Sequence, residues 1–295
     1  MKLIKPIKKL ALGTVQLGLP YGISNVHGRI DLGEAERIIV AAKLAGMDTL
    51  DTAIAYGESE QVLGQVGVSS FKIISKLPAL PDQSLDLQNQ VIEFVEGSLE
   101  RLRITQLYGL LLHRPGRLLD SQGVILYQAL QDLKNKGLVK KIGVSIYSPT
   151  ELEALCRSFE FDLIQAPFNI FDRRLERQGW LDKLKKRGVE VHVRSIFLQG
   201  LLLMDSASRP PYFDRWEFLF KRLEEWCKIE DSTLLEACLG TAWLNQNIDR
   251  IIVGVDSLAH LQEIVATITD ELLPPPDDLY CEDTRLINPS EWKLS

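Results

Sequence analysis

The chain repeats one alternation eight times, and that rhythm restricts its fold more than any other feature. Apolar runs fall at 9–16, 47–52, 71–77, 108–113, 140–146, 161–166, 189–197 and 250–255, each followed by turn residues and a helical stretch. Such runs are too apolar for a sheet with one wet face and fit parallel strands buried on both faces. The segments between them carry helical stripes. Ala35, Ile38, Ile39 and Ala42 recur at one-face spacing, as do Val91, Phe94, Val95, Leu99 and Leu102 in the segment after Pro81. Asp31 with Glu34 reads as a capping box, and Gly46 can supply a left-handed C-terminal cap. Ser232 is placed to cap the helix carrying Leu234, Leu235, Cys238, Leu239, Ala242 and Trp243.

Eight strand–helix units leave a closed barrel or an open doubly wound sheet. The first strand–helix junction reads GTVQLGLPYG, which is not the G-x-G-x-x-G turn of a dinucleotide-binding open sheet. Polar and ionisable residues also stand at the ends of many strands, the distribution a barrel active site requires. The expectation is a single (β/α)8 TIM barrel over residues 1–295, with 271–295 as a C-terminal tail. The segment 203–217 is an irregular insertion after the seventh strand. Insertion and tail each read either as plain surface or as a lid.

Charge and composition narrow the function classes. A net charge of −6 and the absence of a basic cluster speak against a nucleic-acid or anionic-membrane surface. Pro6 and the lysines at 2, 5, 8 and 9 leave no apolar core for a signal peptide, and no run is long enough to span a membrane. A cytoplasmic location is expected. Cys156, Cys227, Cys238 and Cys281 are scattered, as are His27, His113, His192 and His260, so no metal site is expected. Cys156 and Cys238 read as buried free thiols.

The chemistry gathers at the ends of consecutive strands. Asp51 closes the second with Tyr56 in the following loop, Lys76 lies near the end of the third, and His113 ends the fourth. A lysine inside an apolar strand needs a partner, and Asp51 can be it. An ammonium beside a phenol favours the phenolate, so Tyr56 could move protons at neutral pH despite an ordinary phenol pKa of about 10. His113 could hold and polarise a carbonyl oxygen. Each residue alone has a plainer reading: Asp51 as a turn residue, Tyr56 as a packed aromatic, Lys76 and His113 as ion-pair structure. The four together at successive strand ends favour the functional reading.

These stretches resemble the aldo-keto reductase family. The carrying segments are LALGTVQLG, DTLDTAIAYGESEQVLG, ISKL, LLHRP, KKIGVSIYS, DLIQAPFN, RSIFLQGLL and IIVGVDS, spread over about 9–265. The resemblance implies NAD(P)H-dependent reduction of an aldehyde or ketone, or the reverse, in which Tyr56 gives the proton and Lys76 with Asp51 tunes it. It also implies a cofactor site built from Gly13, Thr14, Ser145, Gln165, Arg194, Ser195, Phe197, Gln199, Gly200, Gly254, Val255, Asp256 and Ser257. Ser145 and Gln165 correspond to ligands of the nicotinamide carboxamide, although core hydrogen bonding is their alternative. Two positions depart from the family: Ile146 stands where an asparagine is usual, and Arg194 stands where many relatives stack an aromatic on the nicotinamide. GVDSLAHLQEI contains no Lys or Arg, and Asp256 sits where a basic residue is frequent. NADH is therefore expected to be tolerated or preferred, since a carboxylate repels a 2′-phosphate. The substrate is expected to be a small carbonyl compound, sugar-derived by family analogy, with Tyr21, Tyr212 and Trp216 shaping its pocket. Two rivals stand beside this reading: a cofactor-binding sensor with little turnover, and a barrel lyase or isomerase using Lys76 as a Schiff base.

Overall fold

The computed structural model describes residues 7–25, 28–80 and 86–294. Lys2, Lys5, Pro6, His27 and Pro81 lie outside them. Eight parallel strands close into a barrel in sequential order. They are β1 (Leu10–Gly13), β2 (Thr49–Asp51), β3 (Lys72–Leu77), β4 (Leu107–Leu112), β5 (Val139–Ser145), β6 (Leu163–Pro167), β7 (Glu190–Arg194) and β8 (Arg250–Gly254). The principal helices outside them are α1 (Leu32–Leu44), α2 (Ser59–Val66), α3 (Leu87–Leu102), α4 (Gly123–Asn135), α5 (Thr150–Ser158), α6 (Trp180–Lys186), α7 (Glu217–Ile229), α8 (Leu234–Trp243) and α9 (Leu258–Thr267). The expected (β/α)8 architecture is the observed one. Among the described residues, no helix is long and apolar enough to cross a membrane.

Two cores follow from the alternation of strand side chains. Outward residues such as Ile73, Leu110, Ile142 and Ile164 join the helix stripes, including Ala35, Ile38, Val91 and Val95, in one large buried cluster. Inside the barrel, Ile74, Leu111 and Leu163 form a separate small apolar cluster with Tyr108 packed against it. Gly143 makes room for that plug, because a Cβ there would stand 1.8 Å from the Leu163 carbonyl oxygen.

Several boundaries differ from the sequence expectation. β1 stops at Gly13 and Val15–Gly18 form a helical turn, so the run at 9–16 is only half strand. β7 ends at Arg194, because Ser195, Leu198 and Gln199 adopt φ of 62°, 49° and 56°. The cap of α8 is Thr233, not Ser232. The Thr233 hydroxyl accepts from the Glu236 amide and the Glu236 carboxylate accepts from the Thr233 amide. Asp31 does cap α1, but Glu34 does not return the bond; its carboxylate accepts from the Leu258 amide and tethers α9 to α1. Cys238 is buried, whereas Cys156 is only half-buried.

Candidate active site

The carboxyl ends of β1 to β3 meet first through backbone. The Thr14 amide and hydroxyl both donate to the Asp51 carbonyl oxygen at 3.0 Å. The Ser59 hydroxyl, at the start of α2, donates to the Thr14 carbonyl at 2.9 Å and lies 3.1 Å from the Thr52 hydroxyl. Gly18 lets the loop after β2 press closer still: a Cβ there would fall 1.7 Å from the Tyr56 carbonyl oxygen. Tyr56 is thereby positioned by residues on another loop, a dependence that no spacing rule reveals.

On this base sits a buried charge network. The Lys76 ammonium donates to Asp51 Oδ1 at 2.6 Å and to the Thr52 carbonyl at 2.7 Å. The two side chains are 1% and 6% exposed, so neither ion could stand there alone. Asp51 Oδ2 accepts from Gln165 Nε2 at 2.7 Å, and Gln165 Oε1 accepts from the Ser145 hydroxyl at 2.9 Å. One polar chain thus runs from β3 through β2 to β6 and β5.

Tyr56 and His113 face this chain. Lys76 Nζ lies 5.1 Å from the Tyr56 ring centroid, and the Tyr56 and His113 rings meet edge to face at 5.9 Å. Burial, with the Lys76 and Arg194 cations adding to it, lowers the His113 pKa to about 4. The imidazole is therefore neutral at physiological pH, and one ring nitrogen carries a hydrogen for donation. Tyr21 borders the same space. Burial and the Tyr56 phenol raise its pKa, and Gln199 Nε2 donates to its hydroxyl at 3.3 Å.

The remaining predicted cofactor residues spread along this rim. Gly13 pairs with Gly254 at the β1–β8 seam, with Val255 buried beyond it. Asp256 accepts from Asn25 Nδ2 at 3.3 Å, and the Ser257 hydroxyl caps α9 by accepting from the His260 amide. Arg194 Nη2 donates to the Ile146 carbonyl at 2.9 Å, and its guanidinium lies 4.9 Å from the Tyr147 ring centroid. Ser195, Leu198, Gln199 and Gly200 are the left-handed residues of the loop after β7, and Phe197 is a half-buried part of that loop. Gln16, which no motif singled out, lies against Gly254, and its buried Oε1 has no partner among the described residues.

Tyr212 and Trp216, expected at the substrate pocket, lie where the insertion meets the tail. They pack around Phe213, Tyr212 edge to face at 5.0 Å and Trp216 tilted at 6.4 Å; Phe213 meets Trp292 of the tail at 4.9 Å, and the Tyr212 hydroxyl donates to the Arg285 carbonyl. The tail is anchored on this side by Leu279, Leu286 and Ile287, all buried, and by the Cys281 amide donating to the Phe171 carbonyl. These aromatics hold the insertion and the tail together.

The Aldo/keto reductase family profile matches residues 9–275. The NADH-specific methylglyoxal reductase of Escherichia coli is 25% identical, over 90% of this chain and 91% of its own length. The aldo-keto reductase YhdN of Bacillus subtilis is 26% identical, over 66% of this chain and 60% of its own, so the chain spans about three fifths of that relative. An aldo-keto reductase structure from Bacillus halodurans superposes with a TM-score of 0.72 at 22% identity, covering 92% of this chain and 89% of the other, a likeness of fold. With the profile spanning most of its length, the chain belongs to the aldo/keto reductase family.

Proposed function

We propose that this protein is a nicotinamide-dependent oxidoreductase that reduces a small aldehyde or ketone to the alcohol, with Tyr56 as the proton donor. The observation that carries this reading is the ammonium of Lys76, fixed by Asp51 and the Thr52 carbonyl, 5.1 Å from the Tyr56 ring centroid. As the phenol gives up its proton, negative charge grows on its oxygen and the fixed cation offsets it. Asp51 pairs with Lys76 and aims it. Neutral His113 donates a hydrogen bond to the carbonyl oxygen, orienting it without competing as an acid. In the reverse direction the same phenolate accepts the alcohol proton.

The rim residues fit a nicotinamide dinucleotide. Ser145 still has lone pairs to accept with, and Gln165 Nε2 retains a second N–H, so both can bind a carboxamide while holding Asp51. The orphaned Gln16 Oε1 beside Gly254 is an acceptor in search of a donor, as a ribose hydroxyl or an amide would supply. The left-handed turns at Ser195, Leu198, Gln199 and Gly200 suit an anion-binding loop for a pyrophosphate. When bound, the cofactor supplies the hydride. Asp256, with no Lys or Arg in the segment around it, supports NADH over NADPH, and the relatedness to an NADH-specific reductase agrees. The substrate class is a small carbonyl compound such as glyoxal or methylglyoxal, or an aldehyde derived from a sugar, and the cytoplasm is the proposed location. Lys76 Nζ is already committed to a carboxylate and a carbonyl, which disfavours a Schiff-base role for it.

The test is direct. Purified protein should oxidise NADH in the presence of methylglyoxal or a short aldehyde, and bind NADH at least as tightly as NADPH. A protein that binds cofactor but turns over no carbonyl is a sensor and contradicts the catalytic reading. NADPH binding more than about tenfold tighter contradicts the cofactor preference.

A further inference from the structure

Three cations meet at the mouth of the barrel opposite Tyr56, although the chain spreads them over positions 72, 103 and 140 and no basic run announces them. Lys72 opens β3, Arg103 follows the last residue of α3, and Lys140 is the second residue of β5. With Phe71, Ile104 and Tyr108 they line a hollow of about 460 Å³, and among the described residues no Asp or Glu lines it. The ammoniums of Lys72, Lys140 and Lys141 lie 5.3, 5.7 and 5.3 Å from the Tyr108 ring centroid. Like charges gathered on one ring repel unless anions offset them. Asp48 pairs with Lys72 and Glu190 with Lys141, but no carboxylate partner of Lys140 or Arg103 is seen among the described residues. Arg103 also adopts φ 54° and ψ 43°, the left-handed conformation in which glycine commonly ends a helix. A side chain costs roughly 1–2 kcal/mol there, and the one that bears this cost is an exposed guanidinium. The apolar plug of Ile74, Leu111 and Leu163 separates this mouth from the rim of Tyr56 and His113, so the hollow is no extension of the candidate active site.

We propose that this hollow is a second ligand site and that it takes a phosphate monoester. The forked guanidinium of Arg103 matches two phosphate oxygens, and the Lys140 ammonium adds a point charge to the same group. Lys72, already half-satisfied by Asp48, supplies a further donor at the floor. Phe71 and Ile104 are partly buried and give the organic part of the ester an apolar wall, which inorganic phosphate would leave unused. The volume lies within the range of small-molecule sites.

Calorimetric titration of the full chain with phenyl phosphate tests this, with NADH present to occupy the upper rim. Wild-type protein should show saturable binding, and the double variant Arg103→Gln with Lys140→Gln should weaken it by about tenfold or more. A control pair, Lys183→Gln with Lys228→Gln, removes the same charge from exposed positions outside the hollow and should change binding by less than about twofold. Inorganic phosphate should bind at the same place but at least about threefold more weakly than the ester. No saturable binding up to about 10 mM ligand, binding unchanged in the double variant, or an equal loss in the control pair would overturn the proposal. Inorganic phosphate binding as tightly as phenyl phosphate would overturn the assignment of a monoester. No turnover enters the measurement, so its result is separate from that of the carbonyl-reductase reading.

Discussion

The barrel holds two polar clusters inside one wall, and they differ in a way that separates chemistry from architecture. At the amino-terminal mouth, Tyr108 donates to Glu190 at 2.8 Å, Lys141 pairs with the same carboxylate, and His192 Nε2 lies 2.8 Å from its other oxygen. Asp48 holds Lys72 at 2.9 Å and Arg250 at 3.3 Å. At the carboxyl-terminal mouth, Lys76 and Asp51 are paired as tightly. Between them lies the apolar plug of Ile74, Leu111 and Leu163. In the lower cluster the phenol, Tyr108, spends its proton on a carboxylate. In the upper cluster the phenol, Tyr56, has a cation beside its ring and a neutral histidine at its edge. In the proposed mechanism the upper ion pair serves the chemistry because its neighbours still have bonds to offer a substrate.

Substitutions can sharpen that contrast. Lys76→Met leaves the Asp51 carboxylate buried with its cation removed and should cost about 3–5 kcal/mol of stability, read by urea denaturation, together with turnover. The double variant Lys76→Met with Asp51→Asn should recover much of the stability and none of the turnover, whereas recovery of both would erase the distinction. Gly18→Ala, which drives a Cβ into the Tyr56 backbone, should lower kcat/KM by roughly tenfold or more with a smaller loss of stability. An unchanged rate there would mean that Tyr56 need not be held so closely.

In the lower cluster, burial works against the Glu190 carboxylate, but the His192, Lys141 and Tyr108 bonds outweigh it and hold its pKa below the usual range. Its contribution to stability is therefore present above the unfolded pKa near 4.5 and is lost as pH falls below it. Glu190→Gln should cost about 1–3 kcal/mol and leave kcat within about threefold. A large loss of turnover at wild-type stability would tie the lower cluster to the chemistry.

The smallest effect concerns His113. Its folded pKa, about 4, lies below the 6.5 of an unfolded histidine, so the unfolded chain takes up the proton first. Stability should rise with pH between about 4 and 6.5 from this group, and an NMR titration of the ring should find its midpoint near 4. A midpoint near 6.5 would mean that the imidazole is charged through part of the working range.

The fold was legible because eight apolar runs and their helical stripes agree with one topology, and the Asp51–Lys76 pair because an unpaired lysine in a strand has nowhere else to go. Strand ends were less so: Ile196 and Phe197 extend the apolar run of β7, yet positive φ at Ser195 turns the chain, which hydropathy does not register. Ser232 and Thr233 are equally good caps on composition, and the reciprocal bond with Glu236 decides between them. Contacts between loops, such as Gly18 on Tyr56 and Trp292 on Phe213, depend on tertiary closure and leave no local pattern.

The most direct measurement is single-turnover hydride transfer in Tyr56→Phe, with NADH and a short aldehyde, alongside the cofactor dissociation constant. Loss of a positioned acid should slow transfer by about a hundredfold or more while cofactor binding stays within about threefold. Transfer at the wild-type rate in the phenylalanine variant would contradict the assignment of Tyr56 as the proton donor.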